Sequence, residues 1–180
     1  PFIKSGARSD SLPDPNLFEN NYRQMLDNLT SGGAKGVIST IPDISSAPYF
    51  TTVGWNDLVL DSANNATLNS IYNPLEFYFN VGNNPFMIED PSANAFGVRP
   101  IEEGELILLS VPLDSVKCYK MGTIFPFRNE FILTNPELQE IRTHLGIIND
   151  IIRALAVEYD LALVDAEQFF SNIDSGFPFN

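Results

Sequence analysis

Residues 134–165 read TNPELQEIRTHLGIINDIIRALAVEYDLALVD, and this stretch decides the class of fold. Thr134 and Glu137 form a capping box with Pro136 in the first turn, which is a strong start signal for a helix. Apolar residues then recur at spacings of 3, 4, 3, 4 and 3, namely Leu138, Ile141, Leu145, Ile148, Ile152 and Leu155. The pattern predicts a long amphipathic helix that ends near Tyr159. Residues 161–165 (LALVD) follow at once and predict a short buried strand.

A second helix and strand are predicted near the start of the chain. Asp14 supplies a capping oxygen, and Pro15 stands at the first helical position. Gly32 ends this helix, whose apolar side chains recur at helical spacing: Phe18, Tyr22, Met25, Leu26 and Leu29. Residues 36–41 (GVISTI) are largely β-branched and apolar, which predicts a buried strand that breaks at Pro42.

Residues 45–104 differ in composition from the rest of the chain. They contain nine asparagines and many aromatic side chains, and their only basic residue is Arg99. A stretch of this length is too long for a plain connection, so we expect an insertion with its own small core. Within it, a short helix near residues 62–72 and a strand near residues 76–80 are predicted.

The strongest strand pattern lies at residues 105–111 (ELILLSV), which are apolar on both faces, as in the middle of a parallel sheet. Residues 112–133 are expected to be irregular, and residues 171–180 to form a loop. The resulting order is helix, strand, insertion, strand, irregular stretch, long helix, strand. It predicts an α/β fold in which helices cover the faces of a sheet.

Composition excludes several classes of function. The chain has 180 residues, which suits one domain, and 23 acidic against 10 basic residues give a net charge of -13. Phosphate backbones and anionic lipid surfaces would be repelled, so no nucleic-acid partner is expected. No apolar run approaches the length of a membrane span, so no transmembrane segment is expected. The single cysteine, Cys118, excludes an internal disulfide and a Cys-based zinc site, and no metal site is predicted.

Three motifs could carry catalytic chemistry, and each also has a plainer interpretation. Ser11, in residues 9–12 (SDSL), could be a nucleophile, but no strand precedes it and a surface loop is favoured. His144 could be a base or a metal ligand, but its position suits a partly exposed helical histidine. Residues 82–85 (GNNP) could stabilise an oxyanion or close a hairpin turn. Because a nucleophile needs a base within hydrogen-bond reach, no catalytic set is predicted from these residues.

Two aspartates follow predicted strands. In open α/β sheets, ligands bind beyond the carboxyl ends of the strands. Asp43, which follows residues 36–41, therefore stands where a pocket wall would lie, and Asp165 ends the last strand in a comparable place. A local turn hydrogen bond is the alternative role for Asp43. Cys118 is interpreted as an inert thiol, since no histidine and acid accompany it.

One stretch resembles a known family. Residues 33–53 read GAKGVISTIPDISSAPYFTTV and resemble the central part of the SGNH/GDSL-type serine esterases and lipases, in a Bacteroidota-like subgroup. Residues 104–118 (GELILLSVPLDSVKC) and the long helix that leads into residues 161–165 are similar to the same subgroup. The resemblance covers about residues 14–170.

The resemblance implies a flavodoxin-like three-layer α/β/α sandwich with a parallel sheet. It also implies hydrolysis of lipid, carbohydrate or small acyl esters without a metal or organic cofactor. The family takes its nucleophile from a Gly-Asp-Ser motif, its oxyanion asparagine from Gly-x-Asn-Asp, and its base from a C-terminal Asp-x-x-His. None of these motifs can be assigned to Ser11, residues 82–85 or His144, because their order and spacing differ. We therefore expect an internal part of one hydrolase domain whose catalytic residues lie outside residues 1–180.

By the same resemblance, the loop after the strand at residues 36–41 lines the substrate pocket. The pocket residues expected are Ile41, Pro42, Asp43, Ile44, Tyr49 and Phe50. The insertion at residues 45–104 would act as a cap, and the family resemblance alone favours an exported or cell-envelope protein. The alternative is a non-catalytic module that binds carbohydrate or protein, with the aromatic residues at 72–86 as a stacking platform. A chain that lacks its first strand would expose apolar sheet edges, so we expect it to be aggregation-prone or only marginally stable.

Overall fold

The computed structural model describes residue 6 and residues 11–43, 45 and 47–174. Within this part of the chain the protein is mixed α/β, with six α-helices, one parallel two-stranded sheet and three antiparallel ones. The chain divides into two compact units. Unit 1 comprises the described residues of Pro1–Ser11 and Ala47–Leu138, and unit 2 those of Leu12–Ser46 and Gln139–Asn180.

The elements are numbered in chain order. The α-helices are α1 Pro15–Thr30, α2 Pro48–Thr51, α3 Ser62–Tyr72, α4 Leu113–Tyr119, α5 Asn135–Glu158 and α6 Ala166–Asp174. The strands are β1 Val37–Ser39, β2 Leu58–Leu60, β3 Gly82–Asn84, β4 Met87–Glu89, β5 Val98–Pro100, β6 Leu106–Ile107, β7 Ile132–Leu133 and β8 Ala162–Val164. Short 3-10 turns cover Asn73–Leu75 and Asn129–Phe131. No helix among the described residues combines the length and the apolar character that a membrane span needs.

Both long helices begin where the sequence predicts. The Asp14 carboxylate accepts hydrogen bonds from the backbone N–H groups of Asn16 (2.8 Å) and Leu17 (3.1 Å), so it caps α1. The N–H and hydroxyl of Thr134 donate to Glu137 Oε2 at 2.9 and 2.7 Å, so the predicted capping box starts α5. The predictions of α1 and α5 are confirmed.

The sheet of unit 2 consists of β1 and β8. The two strands run parallel, with Val37 opposite Ala162 and Ser39 opposite Val164. The prediction of two strands at these positions is confirmed, but the prediction that they are buried is wrong. Val37 is 65% exposed, Leu163 38% and Val164 52%. Their exposure has a physical cause, since neither strand pairs with a third strand within the described residues.

The core of unit 1 is built from short antiparallel pairs and the loops between them. Met87, Ile88, Ile107, Phe127 and Ile132 are completely buried within it. Strand β4 pairs with β5, and β6 pairs with β7. Most of the predicted insertion, residues 45–104, falls inside unit 1.

Predictions inside unit 1 meet mixed outcomes. Helix α3 forms at residues 62–72 as predicted, but the strand expected at residues 76–80 is wrong. There the amide of Asn69 holds both backbone groups of Phe79, and the strand forms later, as β3. Residues 105–111 are not a central parallel strand, because only β6 forms there and its partner β7 is antiparallel. Their apolar side chains are buried by the core of unit 1 instead of by helices on two faces of a sheet.

Two stretches expected to lack regular structure contain helices. Helix α4 lies within residues 112–133. Helix α6 continues to Asp174, so the loop expected at residues 171–180 is wrong over its first four positions. Residues 175–180 lie outside the described part of the chain.

Candidate functional site

The carboxyl ends of β1 and β8 meet in a polar network within unit 2. Thr40, directly after β1, is almost fully buried. Its Oγ1 donates a hydrogen bond to Asp165 Oδ1 at 3.1 Å. The same hydroxyl oxygen accepts a hydrogen bond from the N–H of Glu167 at 3.0 Å. Arg153, from α5, donates to Asp165 Oδ2 at 3.3 Å and to Glu167 Oε2 at 2.6 Å. The network joins the ends of both strands to α5 and α6.

Ionisation of Asp165 belongs to this network. A hydrogen bond from the N–H of Gln168 lowers the pKa of Asp165, and the contacts with Thr40 and Arg153 lower it further. Hydrogen bonds with Glu167 and Asp165 raise the pKa of Arg153. Both groups therefore stay charged through the neutral pH range, and the network is an ionic one.

A cavity of about 380 Å³ opens beyond these strand ends in unit 2. Its walls come from the loop after β1, from α5 and from α6, and the lining residues are Asp43, Ser45, Arg142, Leu145, Glu167, Phe170 and Ser171. The lining combines charged and hydroxyl groups with an aliphatic side chain and an aromatic ring. Among the described residues, no three His, Cys, Asp or Glu side chains are grouped to hold a metal ion.

Asp43 is the predicted pocket residue that lines this cavity. Its Oδ1 accepts from the N–H of Ser45 at 2.9 Å, and its Oδ2 accepts from Arg142 Nε at 3.1 Å. Partial burial acts to raise the pKa of Asp43, but the hydrogen bonds from Ser45 and Arg142 outweigh it and lower the pKa. Asp43 therefore makes the local turn bond that the sequence suggested, and it also presents a charged group to the cavity.

Asn149 fixes the loop that carries Asp43. Its side chain is completely buried, and its Oδ1 accepts from the N–H of Ile41 at 2.8 Å. Its Nδ2 donates to the carbonyl of Ile41 at 2.9 Å. Sequence reasoning did not single out Asn149, although one signal was present. It is an amide on the buried face of α5, between the core positions Ile148 and Ile152.

The other predicted pocket residues are spread over the chain. Ile41 is 41% exposed, and Pro42 is half-buried beside it. Ile44 lies outside the described residues. Tyr49 and Phe50 belong to α2 in unit 1, where their rings meet edge to face with centroids 4.9 Å apart. Four further lining residues, which lie on helices α5 and α6, were not predicted from the sequence: Arg142, Glu167, Phe170 and Ser171.

The motifs considered for catalysis have the following surroundings. Ser11 is exposed in the loop before α1, and its neighbours Ser9 and Asp10 lie outside the described residues. His144 is half-buried in the middle of α5, and its buried Nε2 has no hydrogen-bond partner within the described part of the chain. Cys118 is an exposed free thiol on α4.

Residues 82–85 do not form the hairpin turn that was the plainer interpretation of that motif. Residues 82–84 are strand β3, which pairs with β2. The Asn84 amide is buried, donates from Nδ2 to the carbonyls of Asn80 and Gly82, each at 2.8 Å, and accepts from the N–H of Asn80 at 2.8 Å. Because its donors are used internally, Asn84 has none left for an oxyanion.

Most rings proposed for a stacking platform are part of the core of unit 1. Tyr72, Phe79 and Phe86 are buried, and Phe77 packs against them. The fifth aromatic residue at positions 72–86, Tyr78, is the one of the five that is exposed, at 70%. A flat aromatic surface for a sugar ring therefore does not exist at these five positions.

Unit 1 contains an ionic group of its own. Arg99 forms a two-pronged ion pair with Glu105, with Nη1 and Nη2 each 2.7 Å from a carboxylate oxygen. Its Nε donates to Asp90 Oδ2, also at 2.7 Å. Arg99 and Asp90 line a second cavity of about 470 Å³, whereas Glu105 is only 2% exposed. Every charged group of this trio is paired, which indicates a structural role.

Comparison with known proteins adds nothing to these observations. No protein-family model, curated protein or solved structure matches the chain. Its function must therefore be argued from the cavity of unit 2 and the strands that carry it.

Replacing Arg142 by methionine is expected to raise the pKa of Asp43 toward its ordinary value, because a charged donor is lost. In the native protein this pKa is lowered, so ionised Asp43 stabilises the fold above its unfolded pKa, which is about 3.9. That contribution is lost as the pH falls through the folded pKa, and in the variant the loss begins at a higher pH. Titration of the Asp43 carboxyl carbon by NMR measures the shift.

The matched control is Arg153→Met, which removes an arginine of the same helix that pairs with Asp165 and Glu167. It should raise the pKa of Asp165 and leave that of Asp43 unchanged. Equal shifts of the Asp43 pKa in both variants would contradict a specific pair between Arg142 and Asp43.

Proposed function

We propose that this chain is the central part of a serine ester hydrolase of the SGNH/GDSL type. In the complete protein, other segments supply the nucleophilic serine, the oxyanion asparagine and the Asp-x-x-His base. The observation that carries the proposal is the cavity of unit 2, which opens beyond the carboxyl ends of two parallel strands and is lined by Asp43. Ligand sites of open α/β sheets lie at such strand ends.

The lining of the cavity suits one side of an ester. Leu145 and Phe170 offer apolar surface to an acyl chain or an apolar alcohol, while Ser45 and Arg142 offer hydrogen bonds to oxygen atoms. Small-molecule sites combine apolar walls with a few polar groups that fix orientation. The carboxylates of Asp43 and Glu167 disfavour a ligand that carries net negative charge at this place, so a neutral ester fits better than a free acid.

The small size of the β1–β8 sheet and its exposed apolar residues support the proposal that this chain is part of a larger flavodoxin-like three-layer sandwich. Two parallel strands of three residues each are too small a sheet to be stable alone, and parallel sheets are normally covered on both faces. The apolar residues Val37, Leu163 and Val164 are nevertheless exposed in β1 and β8. Further strands and helices of the complete protein would cover them.

The reaction proposed is a two-step acyl transfer. The serine hydroxyl attacks the ester carbonyl while histidine accepts its proton, the alcohol leaves with that proton, and water then hydrolyses the acyl-serine. The described residues of this chain bind and orient the substrate in this scheme. His144 is not assigned as the base, since its Nε2 is buried and has no hydrogen-bond partner among the described residues.

The experiment uses a fluorophosphonate probe, which labels activated serines, on the product of the complete reading frame and on the 180-residue chain. We expect a labelled serine outside residues 1–180 in the complete product, together with turnover of p-nitrophenyl acetate. The 180-residue chain should remain unlabelled, and Ser11→Ala should change nothing in either protein.

Two results would contradict the proposal. One is a complete product that neither takes up the probe nor hydrolyses the ester, or a reading frame that ends at these 180 residues. The other is labelling of the 180-residue chain that Ser11→Ala abolishes, because Ser11 would then be the nucleophile.

A further inference from the structure

We infer that Asn149 is a positioning residue of the cavity in unit 2: by holding both backbone groups of Ile41, it sets where the carboxylate of Asp43 stands. The inference rests on the proposed function for its catalytic consequence, but the positioning itself is a property of this chain. It assigns to a side chain of α5 the control of a loop that is distant in sequence.

Asn149 binds the backbone of Ile41 in the way that a neighbouring strand would. Asn149 accepts from the Ile41 N–H at 2.8 Å and donates to the Ile41 carbonyl at 2.9 Å, as a neighbouring backbone would in a sheet. Strand β1 has already ended at Ser39, so no strand partner within the described residues holds Ile41. The side chain thus extends the order of the strand into the loop.

One residue, Pro42, separates the clamp at Ile41 from the charged group of Asp43. Thr40 is held on the preceding side by its contacts with Asp165 and Glu167. Pro42 follows Ile41, and its ring fixes the backbone torsion φ between the clamp and Asp43. With both Ile41 backbone groups held, little freedom is left for the position of the Asp43 backbone.

The position of Asp43 determines whether it keeps its contact with the charged groups around it. Arg142 of α5 reaches Asp43 Oδ2 at 3.1 Å, and Glu167 of α6 lines the same cavity and is paired with Arg153. A shift of the loop by about 1 Å would lengthen the bond to Arg142 beyond hydrogen-bond range. The loop position therefore decides whether the cavity presents an ion pair or a separated acid and base.

The first test needs no variant. In the native protein the Ile41 amide should exchange with solvent on the order of 100-fold more slowly than that of Ala34, an exposed loop residue, after correction for sequence. Exchange of the Ile41 amide at the rate of Ala34 would overturn the inference, because the clamp would then be open most of the time.

The second test compares Asn149→Leu with Leu155→Ala. Leucine has the same branching and the same number of side-chain heavy atoms as asparagine but makes neither hydrogen bond. Leu155 is a completely buried residue of the same helix that makes no bond to the loop. Asn149→Leu should raise the pKa of Asp43 toward its ordinary value and remove the protection of the Ile41 amide. Leu155→Ala should destabilise unit 2 and change neither signal.

Different measurements test the inference and the proposed function. If the complete protein is an esterase, Asn149→Leu should lower kcat/KM by roughly 10- to 100-fold, and Leu155→Ala should leave it close to the native value at a temperature where both are folded. If the protein has no esterase activity, the pKa and exchange results still decide the inference. An unchanged Asp43 pKa in folded Asn149→Leu, or an equal shift in Leu155→Ala, would overturn it. If Asn149→Leu does not fold, the exchange rate of the native Ile41 amide decides alone.

Discussion

Replacing Arg99 by methionine is expected to lower the free energy of unfolding of unit 1 by roughly 3 to 5 kcal/mol. The methionine fills similar space but leaves the carboxylate of Glu105, which is 2% exposed, without its partner. A buried charge without a partner costs far more than a surface pair contributes. The bonds from Arg99 to Glu105 and Asp90 also raise the pKa of the guanidinium above its already high value, so Arg99 stays charged at all usual pH values.

Chemical denaturation, followed by the fluorescence of Trp55 in unit 1, measures this loss. The control is Arg128→Met, since Arg128 is an arginine of the same unit whose pair with Glu130 at 3.1 Å is largely exposed. It should cost about 1 kcal/mol or less. Adding Glu105→Leu to Arg99→Met should restore part of the lost stability, because the buried charge is then gone. Equal losses in the two arginine variants would show that burial of Glu105 is not the cause.

Replacing Gly122 by alanine is expected to destabilise unit 1 by roughly 2 to 5 kcal/mol. A Cβ at this position would lie 2.6 Å from two ring carbons of Phe127 and 2.9 Å from the ring of Phe86, both in the core. These rings pack against each other with centroids 5.3 Å apart, so neither can move without disturbing the other. The backbone torsion φ of Gly122 is also +82°, in the left-handed region that alanine adopts only with strain.

The contrasting substitution is Gly146→Ala. Gly146 lies inside α5, and apart from its chain neighbours and the nearby backbone of its own helix, no atom of the described residues stands within 4 Å of where its Cβ would be. Alanine there should stabilise the protein by roughly 0.5 to 1 kcal/mol, since glycine is the poorer helix former. Denaturation midpoints of the two variants should therefore move in opposite directions. A Gly122→Ala variant as stable as the native protein would mean that the core around Phe127 is loosely packed.

Helices α1 and α5 could be predicted from this sequence because their signals are local. The Asp14 cap and the box of Thr134 and Glu137 act on neighbours within three residues, and the structure has those hydrogen bonds. The apolar spacing in α5 reports one face of one helix, whatever lies against it. Such features need no knowledge of distant parts of the chain.

Strand burial and strand pairing could not be predicted in the same way. Residues 105–111 and 36–41 are both apolar runs, yet Ile107 is buried in unit 1 and Val37 is 65% exposed in unit 2. What differs is the set of partners, which a run of apolar residues does not specify. The same limit explains why β6 pairs in the antiparallel sense where a parallel strand was expected.

The candidate site was predictable only where a residue follows a strand directly. Asp43 was expected to line a pocket because it comes just after the predicted strand, and it lines the cavity of unit 2. Arg142 and Glu167 reach the same cavity from helices, and their positions depend on how α5 and α6 pack. Their charges were visible in the sequence, but their convergence was not.

The asparagines of this chain do work that sequence composition could not reveal. Asn69, Asn84 and Asn149 each bind the N–H and the carbonyl of one other residue, at distances of 2.8 to 2.9 Å. In the structure each of these three side chains satisfies a backbone N–H and a backbone carbonyl that regular strand pairing leaves open.

Because these three side chains hold backbone groups in place, the fold persists only as long as their amides stay intact. Deamidation converts asparagine to aspartate, which keeps the acceptor oxygen but exchanges the donor for a second acceptor. At Asn69, Asn84 or Asn149 the new carboxylate would face a backbone carbonyl across the distance of a former bond, so attraction would become repulsion. Heat and alkaline storage hydrolyse exposed amides fastest. The three asparagine side chains are shielded only while the backbone segments they bind stay in place. Chemical ageing of this protein should thus start with a brief opening and end with a loop that cannot close again.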